Sequence, residues 1–152
     1  MLRTINDAGL DLIKSFEGCR LAAYQDVAGI WTIGYGHIRG VREGMTITEE
    51  QATEFLQEDL ADTEATVDWM TSTALTTNNQ YAAMVSLCFN IGSGNFKTSS
   101  VLRFHLARDY TSAADAFLLW DKSHVDGQLV EVPGLLRRRQ AERDLYLTQA
   151  LM

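Results

Sequence analysis

Leu10, Ile13 and Phe16 recur at helical spacing between polar neighbours, with Asn6 ahead of them as a capping type. That spacing predicts a helix over about 6–16, stopped by Gly18. The pattern then shortens. Apolar stretches at 21–24 and 30–35, punctuated by glycines at 29, 34, 36 and 40, predict a small hairpin or meander. Thr48 opens a long helix through a T-E-E-Q capping box, with Ala52, Phe55, Leu56, Leu60 and Val67 as its apolar stripe. Glu54, Glu58 and Asp62 stack on its other side with no base to offset them, so packing must hold this helix. YAAMVSLCFNIG is apolar almost all round and reads as a buried central helix, capped by Asn78 or Asn79. Shorter helices are expected over 98–107, 111–120 and 133–147, the last opened by Pro133, the single proline. Between the last two, HVDGQLVEV reads as a hairpin turned at Asp126-Gly127.

These elements make an α+β chain. A small sheet lobe over about 15–47 and a larger helical lobe over about 70–152 are joined by the long helix, and the first helix packs on the helical lobe. At 152 residues the whole length, 1–152, fits one domain. The start, MLRTINDAGLDLIKSFE, carries no long apolar run, so the expectation is neither secretory signal nor membrane anchor, and accumulation in the cytoplasm of the producing cell.

Charge narrows the partners. Thirteen basic against twenty acidic residues leave a net charge of −7, and no Lys or Arg lies between Arg42 and Lys97. Duplex nucleic acid is excluded as a partner, because its binding rests on neutralising phosphates. The acidic residues from Glu43 to Asp68 read as a solvated helix face. Two cysteines, Cys19 and Cys88, do not make a disulfide scaffold and read as free thiols. His105 and His124 lack partners at ligand spacing, so no metal is expected. The glycines of GIWTIGYGH lack the βαβ context of a nucleotide loop.

The chemistry concentrates in FEGCRLAAYQDVAGIWTIGYGH, where Glu17, Asp26 and Thr32 follow one another as E-x8-D-x5-T. Two carboxylates brought to one cleft can divide acid and base work, which cleavage of a glycosidic bond requires. Glu17 ends a helix beside Ile13 and Phe16, where desolvation would favour a general acid. Asp26 falls in an exposed strand or turn whose polar surroundings allow it to stay ionised. The Thr32 hydroxyl is expected to donate to Asp26 and accept from water. His37, in the GYGH turn, reads as a structural histidine that fixes the hairpin.

The E-x8-D-x5-T block followed by TIGYGH resembles the phage-type lysozymes of glycoside hydrolase family 24. So do GMTITEEQA at 44–52, QYAAMVSLCFNIG at 80–92 and PGLLRRRQAERDLY at 133–146, in the same order. The resemblance implies a lysozyme-like fold and an endolysin that hydrolyses the β-1,4 bond between N-acetylmuramic acid and N-acetylglucosamine in bacterial peptidoglycan. In that reading Glu17 protonates the leaving oxygen, and Asp26 and Thr32 position or activate a water. Ile38, Phe89 and Asn90 match positions that border the saccharide groove. No cofactor is implied. The protein is expected to act as a monomer, held in the host cytoplasm until a separate holin-type membrane protein releases it to the wall. Arg137, Arg138 and Arg139 could touch an anionic wall. The simpler reading pairs Arg138 with Glu142 one turn on while Leu136 and Leu145 pack the helix. Rival readings are a lytic transglycosylase, which uses a single Glu, and a peptidoglycan-binding or structural module. Retention of Asp26 and Thr32 speaks against both.

Overall fold

A computed structural model of the chain describes residues 3–148. The elements run α1 (Asp7–Glu17), β1 (Arg20–Gln25), β2 (Trp31–Gly34), α2 (Glu49–Met70), α3 (Asn78–Ile91), α4 (Ser93–Lys97), α5 (Ser100–Leu106) and α6 (Tyr110–Ala116). A 3₁₀ turn (Phe117–Leu119), β3 (Lys122–Val125), β4 (Gln128–Glu131) and α7 (Pro133–Leu147) complete the chain. They divide into two compact units: Ile13–Asp62, here the hairpin unit, and the residues up to 12 together with those from 63 onward, here the helical unit. Both division points fall inside a helix, so α1 and α2 each contribute to both units.

In the hairpin unit β1 and β2 pair antiparallel, with Tyr24 opposite Thr32 and Gln25 opposite Trp31. Residues 45–47 border β1 through Ala23 N–H to Met45 O and Ile47 N–H to Leu21 O, each 2.9 Å. Alternation along β2 sends Ile33 inward, where it is fully buried with Ile13, Ala52, Leu56 and Leu60. Burying side chains of this kind contributes about 1.5–3 kcal/mol each and fixes the strand register, since a one-residue slip would turn Ile33 to water. The expected capping box of α2 is present: Gln51 N–H donates to Thr48 Oγ1 at 3.2 Å and Thr48 N–H to Gln51 Oε1 at 2.9 Å. Glu54, Glu58 and Asp62 are exposed, as a solvated face requires. Asp59 and Glu64 on this helix are not solvated in that way. Asp59 faces His37, and Glu64, in the helical unit, is buried and accepts the Ile5 N–H at 2.6 Å.

α3 is the core of the helical unit, with nine consecutive residues buried from Gln80 to Cys88. Its cap is Thr77, not Asn78 or Asn79. Thr77 and Gln80 form a reciprocal box like that of α2, which satisfies two helix-end donors at once. A Cβ on Gly9 would lie 2.6 Å from the Ala82 Cβ, so only glycine lets the start of α1 lie this close to α3. One expected helix is shortened and another is split. The stretch 98–107 contains only α5, capped by Ser99, with α4 as a separate turn before Thr98. The stretch 111–120 is α6, capped by Asp109 and tightened into the 3₁₀ turn. β3 and β4 form the expected hairpin. Asp126 (φ 50°) and Gly127 (φ 79°) are both left-handed, as a two-residue type I′ turn demands.

α7 carries Pro133 in its first turn and buries charge rather than leucine. Arg139 and Glu142 are fully enclosed, 2.6 Å apart from Nε to Oε1, and Arg138 reaches Glu142 Oε2 at 3.3 Å. Leu136 and Leu145 are only half-buried, so the expected leucine packing is secondary to this cluster. The 2.6 Å contact is an ion pair whose Nε–H does not point along the line to Oε1, so its attraction is Coulombic rather than a directed hydrogen bond. Burial raises the Glu142 carboxyl pKa and lowers that of the Arg139 guanidinium, and their mutual attraction opposes both shifts. Cys88 is buried and Cys19 exposed; both are free thiols. Among the described residues no helix is long and apolar enough to cross a membrane.

Candidate active site

Asp26 stands just past β1 at the head of the 26–30 loop, and its carboxylate builds that loop. Oδ1 accepts the N–H of Ala28 at 2.8 Å and of Ile30 at 2.9 Å. The Asp26 N–H donates to Ile30 O, and the Gly29 N–H donates back to Asp26 O, both at 2.9 Å. A short carboxylate that folds its own backbone in this way is a general property of Asp in turns. Oδ2 takes no part in these bonds. One oxygen therefore fixes the side chain while the other keeps its lone pairs.

Thr32 is nearly buried and donates its hydroxyl proton to Ile30 O at 2.9 Å. The expected donation to Asp26 is not made. Both side chains instead grip the Ile30 peptide groups, Asp26 from the N–H side and Thr32 from the carbonyl side. With its proton committed, the Thr32 oxygen is left as an acceptor. Tyr24 lies directly opposite Thr32, and Asp26 is two residues on from Tyr24. Cross-strand pairing thus puts Tyr24 and Thr32 on the face of the ribbon opposite Ile33, with Asp26 just past the strand end.

Glu17 is the last residue of α1 and is half-buried. Gly18 ends the helix in the left-handed region (φ 71°), and its N–H donates to Lys14 O at 3.1 Å. The Glu17 carboxylate lies against the TIGYGH turn, where a Cβ added to Gly36 would stand 4.0 Å from Oε2. Gly36 itself has φ 93°, open to glycine and strained for other residues.

His37 closes the same turn. Its backbone exchanges two 2.9 Å hydrogen bonds with Ile33, and its ring stacks on Phe55 at 4.2 Å. Nδ1 sits 3.0 Å from both oxygens of Asp59. Phe55 and Asp59, one helical turn apart on α2, are the support that sequence reasoning missed. The available signal was an i, i+4 aromatic and acid pair, Phe55 within the apolar stripe and Asp59 at its edge. Ile38, just beyond, is about half exposed (54%).

Glu17, Asp26, Thr32, His37 and Ile38 therefore all belong to the hairpin unit. Phe89 and Asn90 belong to the helical unit, at the C-terminal end of α3. Phe89 is half-buried, and Asn90 is exposed on the rim of a concavity of about 480 Å³ bordered by Trp120, His124, Leu129 and Leu135. Among the described residues no three His, Cys, Asp or Glu side chains converge as metal ligands. A half-buried carboxylate on one element, with a carboxylate and a hydroxyl acceptor together on another, is a donor set suited to acid-assisted attack by water.

A model of the phage lysozyme family matches residues 14–142. An endolysin of Acyrthosiphon pisum secondary endosymbiont phage 1 is 46% identical over 142 residues, covering 93% of this chain and 97% of the relative. An endolysin of Salmonella phage P22 is 44% identical over 149 residues, covering 95% and 98%. The solved muramidase domain of SpmX from Asticaccaulis excentricus superposes with a TM-score of 0.90 at 41% identity, covering 97% of this chain and 99% of that one. Sequence family, full-length relatives and backbone agree: the chain belongs to the phage lysozyme family and is a lysozyme-type, peptidoglycan-hydrolysing enzyme.

Proposed function

We propose that the protein is an endolysin that hydrolyses the β-1,4 bond between N-acetylmuramic acid and N-acetylglucosamine, with Glu17 as general acid and Asp26 and Thr32 holding the attacking water. The observation that carries this reading is the division of labour at Asp26. Oδ1 is locked into the loop by two backbone N–H groups, which leaves Oδ2 to accept from a water, while Thr32, tied to the carbonyl of the same Ile30, keeps an acceptor oxygen. Preorganised acceptors of this kind orient a water without reorganisation during the reaction. Glu17 gives its proton to the bridging oxygen as the glycosidic C–O bond breaks. The water oxygen bonds to the anomeric carbon, and the proton that it loses passes to the Asp26 carboxylate. Ile38, Phe89 and Asn90 border the bound saccharide in this reading.

The enzyme works as a monomer without a cofactor. It stays in the host cytoplasm until a holin-type membrane protein admits it to the wall. Mass spectrometry of the products from purified peptidoglycan tests the chemistry. Reducing muramic ends, one water heavier than the anhydro form, are expected. Anhydro-muramic ends would make the protein a lytic transglycosylase, and absence of cleavage would make it a binding module.

A further inference from the structure

The working face of the hairpin does not end at Tyr24. Between Arg20 and Tyr24 the β1–β2 register is irregular: Arg20 pairs with Gly34 and Tyr24 with Thr32, so β1 spends four residues where β2 spends two. A bulge of this kind re-aims side chains. Here it brings the Arg20 guanidinium over the Tyr24 ring, 4.5 Å from the centroid. Tyr24 is in turn the cross-strand neighbour of Thr32 and lies two residues before Asp26. Arg20, Tyr24 and Thr32 therefore follow one another across the ribbon, and Asp26 heads the loop that adjoins them.

Arg20 is exposed, and among the described residues no carboxylate pairs with it, although the chain holds twenty Asp and Glu. A guanidinium seated on an aromatic ring is held by its face, which leaves its edge of N–H donors for a planar bidentate acceptor. A carboxylate is that acceptor. Peptidoglycan supplies carboxylates from two sources, the lactyl substituent of muramoyl sugars that have lost their peptide and the peptide itself.

We infer that Arg20 and Tyr24 form a carboxylate-recognising subsite on the catalytic face, which selects the anionic, muramoyl-bearing strand. The inference rests on the muramidase reading of that face. Tyr24 acts as the platform and Arg20 as the contact. The contact serves binding and register rather than bond cleavage.

The test measures kcat and KM of the wild type, Arg20→Gln, Tyr24→Leu and Tyr24→Phe on soluble glycan in three forms: peptide-bearing, peptide-stripped, and carbodiimide-amidated to remove its carboxylates. Arg20→Gln is expected to raise KM roughly tenfold on one carboxylate-bearing form with kcat within about twofold, the yield of one charge-assisted hydrogen bond. The form that shows the rise identifies the source of the carboxylate. On the amidated glycan the two proteins should converge, and the wild-type advantage should shrink with added salt. Tyr24→Leu should reproduce the KM rise and Tyr24→Phe should restore it. Should Tyr24→Leu fail to fold, Arg20→Gln, at an exposed position, still decides. An unchanged KM in Arg20→Gln, or an equal loss on amidated glycan, overturns the inference while wild-type cleavage leaves the muramidase reading standing. A wild type that yields no reducing muramic ends overturns both.

Discussion

A protonated imidazole at position 105 would undo a chain of hydrogen bonds in the middle of the helical unit. His105 is fully buried, with Nδ1 2.7 Å from the Tyr146 hydroxyl and Nε2 2.8 Å from Thr76 Oγ1. Thr76 gives its own proton to Ala74 O at 3.1 Å, so it accepts from Nε2–H, and Tyr146 must donate to Nδ1. Protonation at Nδ1 sets two donors against each other. Burial accordingly pushes the His105 pKa down to about 4, against an ordinary value near 6.5. The native state thus refuses a proton that the unfolded chain accepts. Stability is fully present above pH 6.5 and is lost as pH falls from about 6.5 to 4, by at most ~3 kcal/mol from this group. Denaturant unfolding of wild type and His105→Gln across that window checks the point: the wild type should lose more stability than the variant. Parallel losses in both would show that the slope comes from other groups. Nothing in the sequence marks His105 as buried, since its partners lie 29 and 41 residues away. The local placements of Glu17 at a helix end, Asp26 beside a turn and Thr32 on a strand were legible for the opposite reason, because neighbouring glycines at 18, 29 and 34 mark those element ends.

Among the elements, α7 departs furthest from its pattern. A PGLLRRRQAERDLY helix reads as leucine-packed with a charged outer face, yet Arg138, Arg139, Glu142 and Tyr146 are the residues it buries. Only the tertiary partner explains this, because Ser86 on α3 donates its hydroxyl to Glu142 Oε2 at 2.5 Å and the two arginines close around the same carboxylate. Removing one partner strands a buried charge, so Glu142→Gln should cost about 3–5 kcal/mol by denaturant unfolding. A loss under ~1 kcal/mol would mean that water reaches the cluster and screens it. The caps are a different case. TNNQ at 77–80 carries the same T-x-x-Q signature as TEEQ at 48–51, so the true start of α3 was present in the sequence but was outcompeted by the two asparagines beside it. The short α4 before Thr98 and the change to a 3₁₀ turn after Ala116 were not legible, because nothing local marks so short a helix or separates a 3₁₀ turn from a continuing helix.

For the molecule as a whole, the α+β class, the early hairpin, the long acidic helix and the buried α3 all followed from hydrophobic period and capping. Tertiary contact decided which charged side chains leave water. Asp59, Glu64 and Glu142 look alike in the sequence to the exposed Glu54 and Glu58, and differ only in having His37, the Ile5 amide or two arginines opposite. Glu17 is one further acid, and its proton is assigned to the leaving oxygen. The most direct measurement is kcat of Glu17→Gln on purified peptidoglycan, with the thermal midpoint of both proteins recorded alongside. A loss of at least about a hundredfold at unchanged midpoint is predicted, the contribution of a positioned general acid. A variant that keeps more than about a tenth of wild-type turnover would mean that another group protonates the leaving oxygen.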